Sequence, residues 1–405
     1  MSVFTDLQNV LSARDLHLRL LIAPPRTGST MLEASLSRSP NVSAYAHEPF
    51  VRHGYYGENA DSGYGNILDA ISQSGTKNGN AIVVKEMSHW ISPGQEYQRL
   101  FTLTDGPVLF LTRNPLLSAE SRLRKVTQNL NIKHLPAIHR MYEYDYVPGI
   151  DNPGADTREL HAGQTRYLDC YAISQGETDW NSLVTASMQS RDYTRLEGIV
   201  SIPGILPPSS SGEAALCEEI AHLGQTGRPY AIVDSTEFRL APEVLAPMIC
   251  NTWSITQDER MVDWQGTSEG LRTGQDKPHH KIWYDTFLGS THVLPPTETP
   301  IQPSKFPRSV CDHLLRVDLP AYYHLFTDAN QLRSGEDVLR RQFISEGGPV
   351  TIGDIDPLYA LLIDPTLAND VQFMDRNHSL LDEVSSIYSP VRPTDEITLP
   401  RQARR

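Results

Sequence analysis

Cysteine is scarce in this chain of 405 residues, which contains only four. They are Cys170, Cys217, Cys250 and Cys311, far apart in the chain and without a CxxC pair or the spacing of metal ligands. A disulfide framework and the common zinc-binding motifs are therefore not expected. The pattern instead predicts free thiols in a reducing compartment.

The N-terminal stretch, MSVFTDLQNVLSARDLHLRL, lacks a long hydrophobic run. It includes the charged side chains of Asp6, Arg14 and Asp15. We therefore expect neither a signal peptide nor a membrane anchor in this stretch, and we expect a cytoplasmic protein.

Positive charge is in deficit, since 35 Lys and Arg residues face 49 Asp and Glu residues, a formal net charge of −14. Proteins that bind nucleic acids usually present a basic face to the phosphates, so we expect no nucleic-acid partner. Any anionic ligand must then meet a local cluster of arginine and lysine side chains.

What the sequence does contain is an alternation of short apolar runs and stretches of helical character. Strands are predicted at residues 18–23, 81–85, 107–112 and 230–234, and helices from residue 29 and at residues 116–129, 241–253 and 312–331. The central apolar runs are continuous, which is typical of buried parallel strands. The sequence therefore predicts an α/β fold, an open parallel β-sheet flanked by helices.

The domain organisation is predicted from where this alternation is interrupted. We interpret residues 1–335 as the main domain and residues 336–405 as a C-terminal extension of unknown role. Residues 131–227 are polar and end in the loop-forming run PGILPPSSSG. We interpret them as a largely helical insertion over the functional site, and a separate domain is the open alternative.

The run IAPPRTGSTMLEASL has the form of an anion-binding loop between a strand and a helix. Gly28 permits a tight turn, Ser29 and Thr30 bring hydroxyl groups to the start of the helix, and Arg26 precedes the glycine. The lysine and leading glycine of nucleotide hydrolases are missing, so a magnesium-dependent arrangement is not predicted. Alone, the run is also compatible with a bare loop before a helix.

Two motifs together resemble the sulfotransferases that use 3′-phosphoadenosine 5′-phosphosulfate (PAPS). PPRTGSTML resembles the family's 5′-phosphosulfate loop, P-[K/R]-[S/T]-G-[S/T]-T. VLFLTRNPLLSAESRL resembles its 3′-phosphate motif, in which an arginine ends a strand and a serine follows eight residues later. The resemblance implies a P-loop sulfotransferase-like fold, PAPS as the cofactor, and cofactor-binding roles for Arg26, Thr27, Gly28, Ser29, Thr30, Arg113, Ser121 and, through the run Arg272-Thr273-Gly274, Arg272.

The resemblance also implies catalytic residues. Lys85 resembles a family lysine that touches the transferred group, and Arg26 would add positive charge beside it. The histidine of the cytosolic branch is absent, because Glu86 and Met87 follow Lys85. In other branches a glutamate after the first helix is the base, and Glu48, in AYAHEPF, stands in that place.

The choice of base leaves His47 and His89 as alternatives to Glu48.

The implied activity is transfer of a sulfuryl group to a hydroxyl or amine of a small-molecule acceptor, as in secondary metabolism. The acceptor's identity and a homo-oligomeric state are left open. Two other functions are alternatives, namely a P-loop kinase or nucleotide hydrolase, and a non-catalytic sulfotransferase-like binding protein.

Overall fold

A computed structural model of the chain describes residues 2–51, 59–74, 79–88, 96–128, 168–200, 212–264, 290–296, 300–334 and 372. The strands are β1 His17–Ala23, β2 Val42–His47, β3 Ala81–Met87, β4 Val108–Thr112, β5 Tyr230–Asp234 and β6 Gln331–Leu332. The helices are α1 Val3–Ala13, α2 Ser29–Leu36, α3 Asp61–Gln73, α4 Glu96–Leu103, α5 Pro115–Gln128, α6 Trp180–Ser190, α7 Glu197–Val200, α8 Glu213–Thr226, α9 Ser235–Leu240, α10 Pro242–Trp253, α11 Arg308–His313 and α12 Leu319–Thr327. A π-helical segment, Leu314–Asp318, joins α11 to α12.

The strands form one six-stranded sheet in the order β2-β3-β1-β4-β5-β6. Every neighbouring pair is parallel. The predicted open parallel sheet with helices is confirmed in the described part of the chain. Strands β2 and β6, at the two edges, were not predicted.

Side chains of β1 alternate between two hydrophobic cores, one on each face of the sheet. Leu18, Leu20 and Ile22 pack on the face covered by α1, α3 and α8. Leu21 and Ala23 pack on the face covered by α2 and α10. Complete burial of a Leu or Ile side chain is worth about 1.5–3 kcal/mol, so a strand buried on both faces holds the centre of the fold.

The strand order places a topological switch point between β1 and β4. These strands are neighbours, with Leu21 opposite Leu109 and Ile22 opposite Phe110. The chain continues from β1 to β2 at one edge and from β4 to β5 on the other side. The two connections therefore diverge and leave a crevice at the carboxyl ends of these strands, where open α/β sheets bind ligands.

The predicted insertion is described only at residues 168–200 and 212–227. Leu216, Ile220 and Leu223 of α8 pack against the sheet, in the same core as β1 and β4. The side chains of α6 pack with α5 and α12 in a third core. A role over the functional site remains a prediction. Residues 336–405 lie outside the described residues apart from residue 372.

All four cysteines are described, and none of them forms a disulfide. Within the described residues, no helix combines the length and the apolar character needed to cross a bilayer.

A buried carboxyl group on α8 is expected to make stability fall as pH rises. Glu219 is 2% exposed, and burial, with a contribution from Glu218, raises its pKa to about 8. The folded chain then binds more protons than the unfolded chain between the ordinary pKa of a glutamate and pH 8, so the stabilising protonation is lost across that window. We expect Glu219→Gln to raise the free energy of unfolding by about 1–4 kcal/mol at pH 8, and far less at pH 5.

Denaturant unfolding at pH 5 and pH 8 measures this difference. Glu243→Gln, at an exposed position on α10, is the control and should change stability little at either pH. A Glu219→Gln chain less stable than the parent at pH 8 would contradict burial as the cause.

Candidate functional site

The loop between β1 and α2 (residues 24–28, the first loop) turns tightly into the helix. The Thr27 hydroxyl donates to the carbonyl oxygen of Pro24 at 2.9 Å, and Gly28 has φ 82°. A Cβ atom at Gly28 would stand 3.3 Å from Oγ of Ser235, so a side chain there meets both backbone strain and crowding. The first N–H groups of α2 have no partner within the helix, which makes this end suited to an anion.

Two functional candidates have a left-handed backbone, with φ 67° at Arg26 and φ 47° at Glu48. Such a conformation costs a residue other than glycine about 1–3 kcal/mol and persists only where the surroundings impose it. Asp15, Arg191 and Ser254 share the conformation but lie at or beside helix C-termini, where it is common. Arg26 and Glu48 instead lie after the carboxyl ends of β1 and β2.

The second motif begins where β4 ends (residues 113–114, the second loop). Oδ1 of Asn114 accepts the backbone N–H of Leu116 at 3.0 Å, and Pro115 occupies the first position of α5. Asparagine and proline in these places are typical of a helix start. This start places Ser121 in the second turn of α5. Arg113 is 6% exposed and Ser121 9% exposed.

The two loops contact each other directly. Nη1 of Arg113 donates to the carbonyl oxygen of Arg26 at 2.8 Å. Nε of Arg26 donates to Oγ of Ser121 at 3.2 Å. Arg26 therefore has its backbone in the first loop and its guanidinium at the second, and the structure brings Arg26, Arg113 and Ser121 together. Thr27, Ser29 and Thr30 follow in the same loop and the start of α2.

On the other side of the first loop, a row of charged side chains crosses the ends of β2 and β3. Nζ of Lys85 contacts Oε1 of Glu48, and it lies 3.2 Å from Sδ of Met87. Nε2 of His47 lies 3.4 Å from the same Oε1 atom of Glu48. Nδ1 of His47 contacts Oε2 of Glu33, on α2. The structure thus places the predicted base beside the predicted catalytic lysine.

Every member of this row is nearly excluded from solvent. The side chains of Glu33, His47, Glu48 and Lys85 are 0%, 3%, 6% and 1% exposed. Burial by itself lowers the pKa of His47, but Glu33 and Glu48 more than offset that effect, and the net shift of its pKa is upward. The histidine is therefore held more readily in its charged form.

Glu86 occupies the position after Lys85 and has a different role. Its Oε2 accepts the backbone N–H of Phe50 at 2.9 Å, and its Oε1 accepts the N–H of Met87 at 2.8 Å. Burial raises the pKa of Glu86 to about 8, although these two hydrogen bonds lower it. The side chain therefore ties the segment after β2 to the end of β3.

Two residues at the site were not singled out from the sequence. Glu33 is the only charged residue of α2, and that single acid in a helix of small and apolar residues was the available signal. Ser235 begins α9 directly after β5, is 2% exposed and faces Gly28. Two residues predicted from the sequence, Arg272 and His89, lie outside the described residues.

Fold and site together define a parallel α/β protein with two basic loops that meet at the switch point of its sheet. Comparisons of the chain with family models, curated proteins and solved structures give no match.

Proposed function

We propose that the protein is a sulfotransferase that moves a sulfuryl group from PAPS to a hydroxyl or amine of a small molecule. The observation that carries this proposal is the contact between the two loops, through Arg26, Arg113 and Ser121. The two motifs that resemble the family are separated by about 90 residues in the chain, yet they share one crevice. A ligand with an anionic group at each end can engage both loops only if they lie this close.

The residues present fit the cofactor. Arg113 and Ser121 would hold the 3′-phosphate through charge-assisted hydrogen bonds. The guanidinium of Arg26 contacts Ser121, so we assign it to the 3′-phosphate as well, in place of the charge beside Lys85 that the resemblance implies. Residues 27–30 and the N-terminus of α2 would hold the 5′-phosphosulfate. Gly28 is exposed, so an anion can approach the backbone there without meeting a side chain. When bound, PAPS supplies the sulfuryl group and a phosphate leaving group.

Glu48 and Lys85 would provide the acid–base and electrostatic parts of the transfer. Glu48 holds the proton that the acceptor loses as the new O–S or N–S bond forms. Lys85 places positive charge where the leaving oxygen becomes anionic as the old S–O bond breaks. Their contact offsets part of the cost of burying two opposite charges.

Ligand selectivity tests the proposal without knowledge of the acceptor. We expect adenosine 3′,5′-bisphosphate to bind, and a concentration of 100 times its dissociation constant to raise the free energy of unfolding by about 2.7 kcal/mol. Adenosine 5′-monophosphate, which lacks the 3′-phosphate, should bind about 10-fold to 100-fold more weakly. Isothermal titration calorimetry and thermal shift measure both ligands.

ATP with magnesium is the decisive comparison. Tighter binding of ATP-magnesium than of adenosine 3′,5′-bisphosphate would favour a kinase or hydrolase and reject the proposal. Bisphosphate binding without sulfuryl transfer to any member of a panel of phenols, alcohols and amines would favour a binding protein instead.

A further inference from the structure

His47 lies between two carboxylates in the middle of the charged row. Its Nδ1 atom contacts Glu33, and its Nε2 atom lies 3.4 Å from Oε1 of Glu48. A neutral imidazole carries a proton on one nitrogen only, and its other nitrogen would then face a carboxylate with a lone pair. Both contacts are favourable only when both nitrogens carry protons.

The charge balance of the row leads to the same protonation state. With His47 charged, Glu33 and Glu48 balance His47 and Lys85 within the row, from which solvent is nearly excluded. The neighbouring buried Glu86, whose pKa burial raises to about 8, is mostly protonated at pH 7 and adds little negative charge. With His47 neutral, a net negative charge would be buried, which is costly. Three different elements supply these groups, since Glu33 is on α2, His47 and Glu48 are at the end of β2, and Lys85 is on β3.

The sheet register holds His47 and Lys85 side by side. They are directly paired in the β2–β3 ladder, and both cations lie at the same oxygen, Oε1 of Glu48. Glu48 is fixed from its backbone as well, because its N–H donates to the carbonyl oxygen of Lys85 at 2.7 Å. Glu48 is therefore held by two cations at its carboxylate and by one hydrogen bond at its backbone.

We infer that His47 is a positioning residue for the transfer, a doubly protonated imidazolium that Glu33 holds in place and that keeps Glu48 ionised and oriented. This inference rests on the proposed function. Lys85 is shared with the developing charge of the leaving group, whereas His47 contacts the two carboxylates, Glu33 and Glu48. His47 thus supplies a cation for Glu48 that the reaction does not use.

The arrangement has a consequence for pH. Among the described residues, the charged groups that act on His47 are Glu33, Glu48 and Lys85, and the two carboxylates outweigh the burial that lowers its pKa. Because the charged form is the working form, turnover should fall as alkaline pH removes the proton from His47. Glu33→Gln removes one of the two carboxylates and should move this alkaline limb to lower pH by about one unit or more.

The variant His47→Gln and a control at an exposed histidine complete the test. His47→Gln is expected to lower kcat by about 10-fold to 100-fold, because Glu48 is then held less firmly in its catalytic position. Binding of adenosine 3′,5′-bisphosphate should change by less than about 3-fold, because β1 lies between β2 and β3, which carry His47 and Lys85, and β4, which Arg113 follows. His292→Gln, at an exposed histidine, should leave kcat and its pH profile unchanged.

NMR titration of the His47 ring in the parent chain reads its charge without reference to turnover. We expect both ring nitrogens to be protonated at pH 7, and deprotonation at lower pH in Glu33→Gln. A neutral His47 at pH 7, or an alkaline limb that Glu33→Gln does not move, would overturn the inference while leaving the proposed function standing. Absence of sulfuryl transfer by the parent chain would overturn the proposed function and the positioning role with it, whereas the titration would still report the charge of His47.

Discussion

Replacement of Glu48 by Gln is expected to reduce sulfuryl transfer by about 10²-fold to 10⁴-fold, the usual contribution of a general base. The amide has nearly the shape of the carboxylate but cannot take a proton from the acceptor. The loss should fall on kcat, because Glu48 contacts Lys85 and His47 rather than the residues proposed to hold the nucleotide. Steady-state kinetics, with an acceptor that the parent chain sulfates, measures the loss of kcat. Calorimetry of adenosine 3′,5′-bisphosphate measures nucleotide binding separately.

The same substitution should also destabilise the fold. Lys85 is 1% exposed, and removal of the partner of a buried charge typically costs about 3–5 kcal/mol. Kinetics are therefore measured at a temperature where calorimetry shows that the variant still binds the nucleotide. Glu243→Gln, at an exposed position on α10, is the matched control and should lose neither activity nor stability. Full turnover in Glu48→Gln would move the role of base to another group, with His47 and His89 as the remaining candidates.

Replacement of Arg113 by Met is expected to weaken binding of adenosine 3′,5′-bisphosphate by about 10-fold to 150-fold, as expected for a lost hydrogen bond to a charged group. Methionine keeps much of the volume and apolar contact of the arginine. The affinity for adenosine 5′-monophosphate should fall far less, because this ligand has no 3′-phosphate for Arg113 to hold. Calorimetry of both ligands with both the parent and the variant gives four binding free energies, which form a thermodynamic cycle. The coupling energy of this cycle measures the interaction between Arg113 and the 3′-phosphate.

An alternative role for Arg113 predicts a different result. Its Nη1 donates to the carbonyl oxygen of Arg26, so the arginine could act only by shaping the first loop. The Arg113→Met substitution would then weaken binding of both ligands equally. Ser121→Ala offers a milder comparison at the same site, with a smaller loss that is again confined to the ligand with a 3′-phosphate.

Local patterns allowed much of the fold to be predicted. The runs that became β1, β3, β4 and β5 are continuous and apolar, because both faces of these strands are buried. Strand β2, VSAYAH, was missed because its small and polar residues resemble a loop, and β6 has only two residues. The connection through α8 was also included in the predicted insertion, although its apolar side packs on the sheet.

The candidate site also has one part that local sequence predicts and one part that only the tertiary structure brings together. The second motif lies within one strand end, one turn and one helix, at Arg113, Asn114, Pro115 and Ser121. Local geometry sets the arrangement of these residues, so the motif could be predicted from the sequence. Glu33, His47 and Lys85 come from three elements, and no periodicity in the sequence relates them. Glu33 and His47 meet only because α2 packs on the face of the sheet to which both His47 and Lys85 project.

Residue types and local spacing thus account for the elements, the two loops and the surplus of acidic charge. Tertiary structure decided which loops meet. Arg26 and Ser121 are 95 residues apart in the chain, and their contact depends on β1 and β4 being neighbours. Strand order follows from how the crossover connections pack on the two faces of the sheet, a property of the whole buried core that short stretches of sequence do not encode.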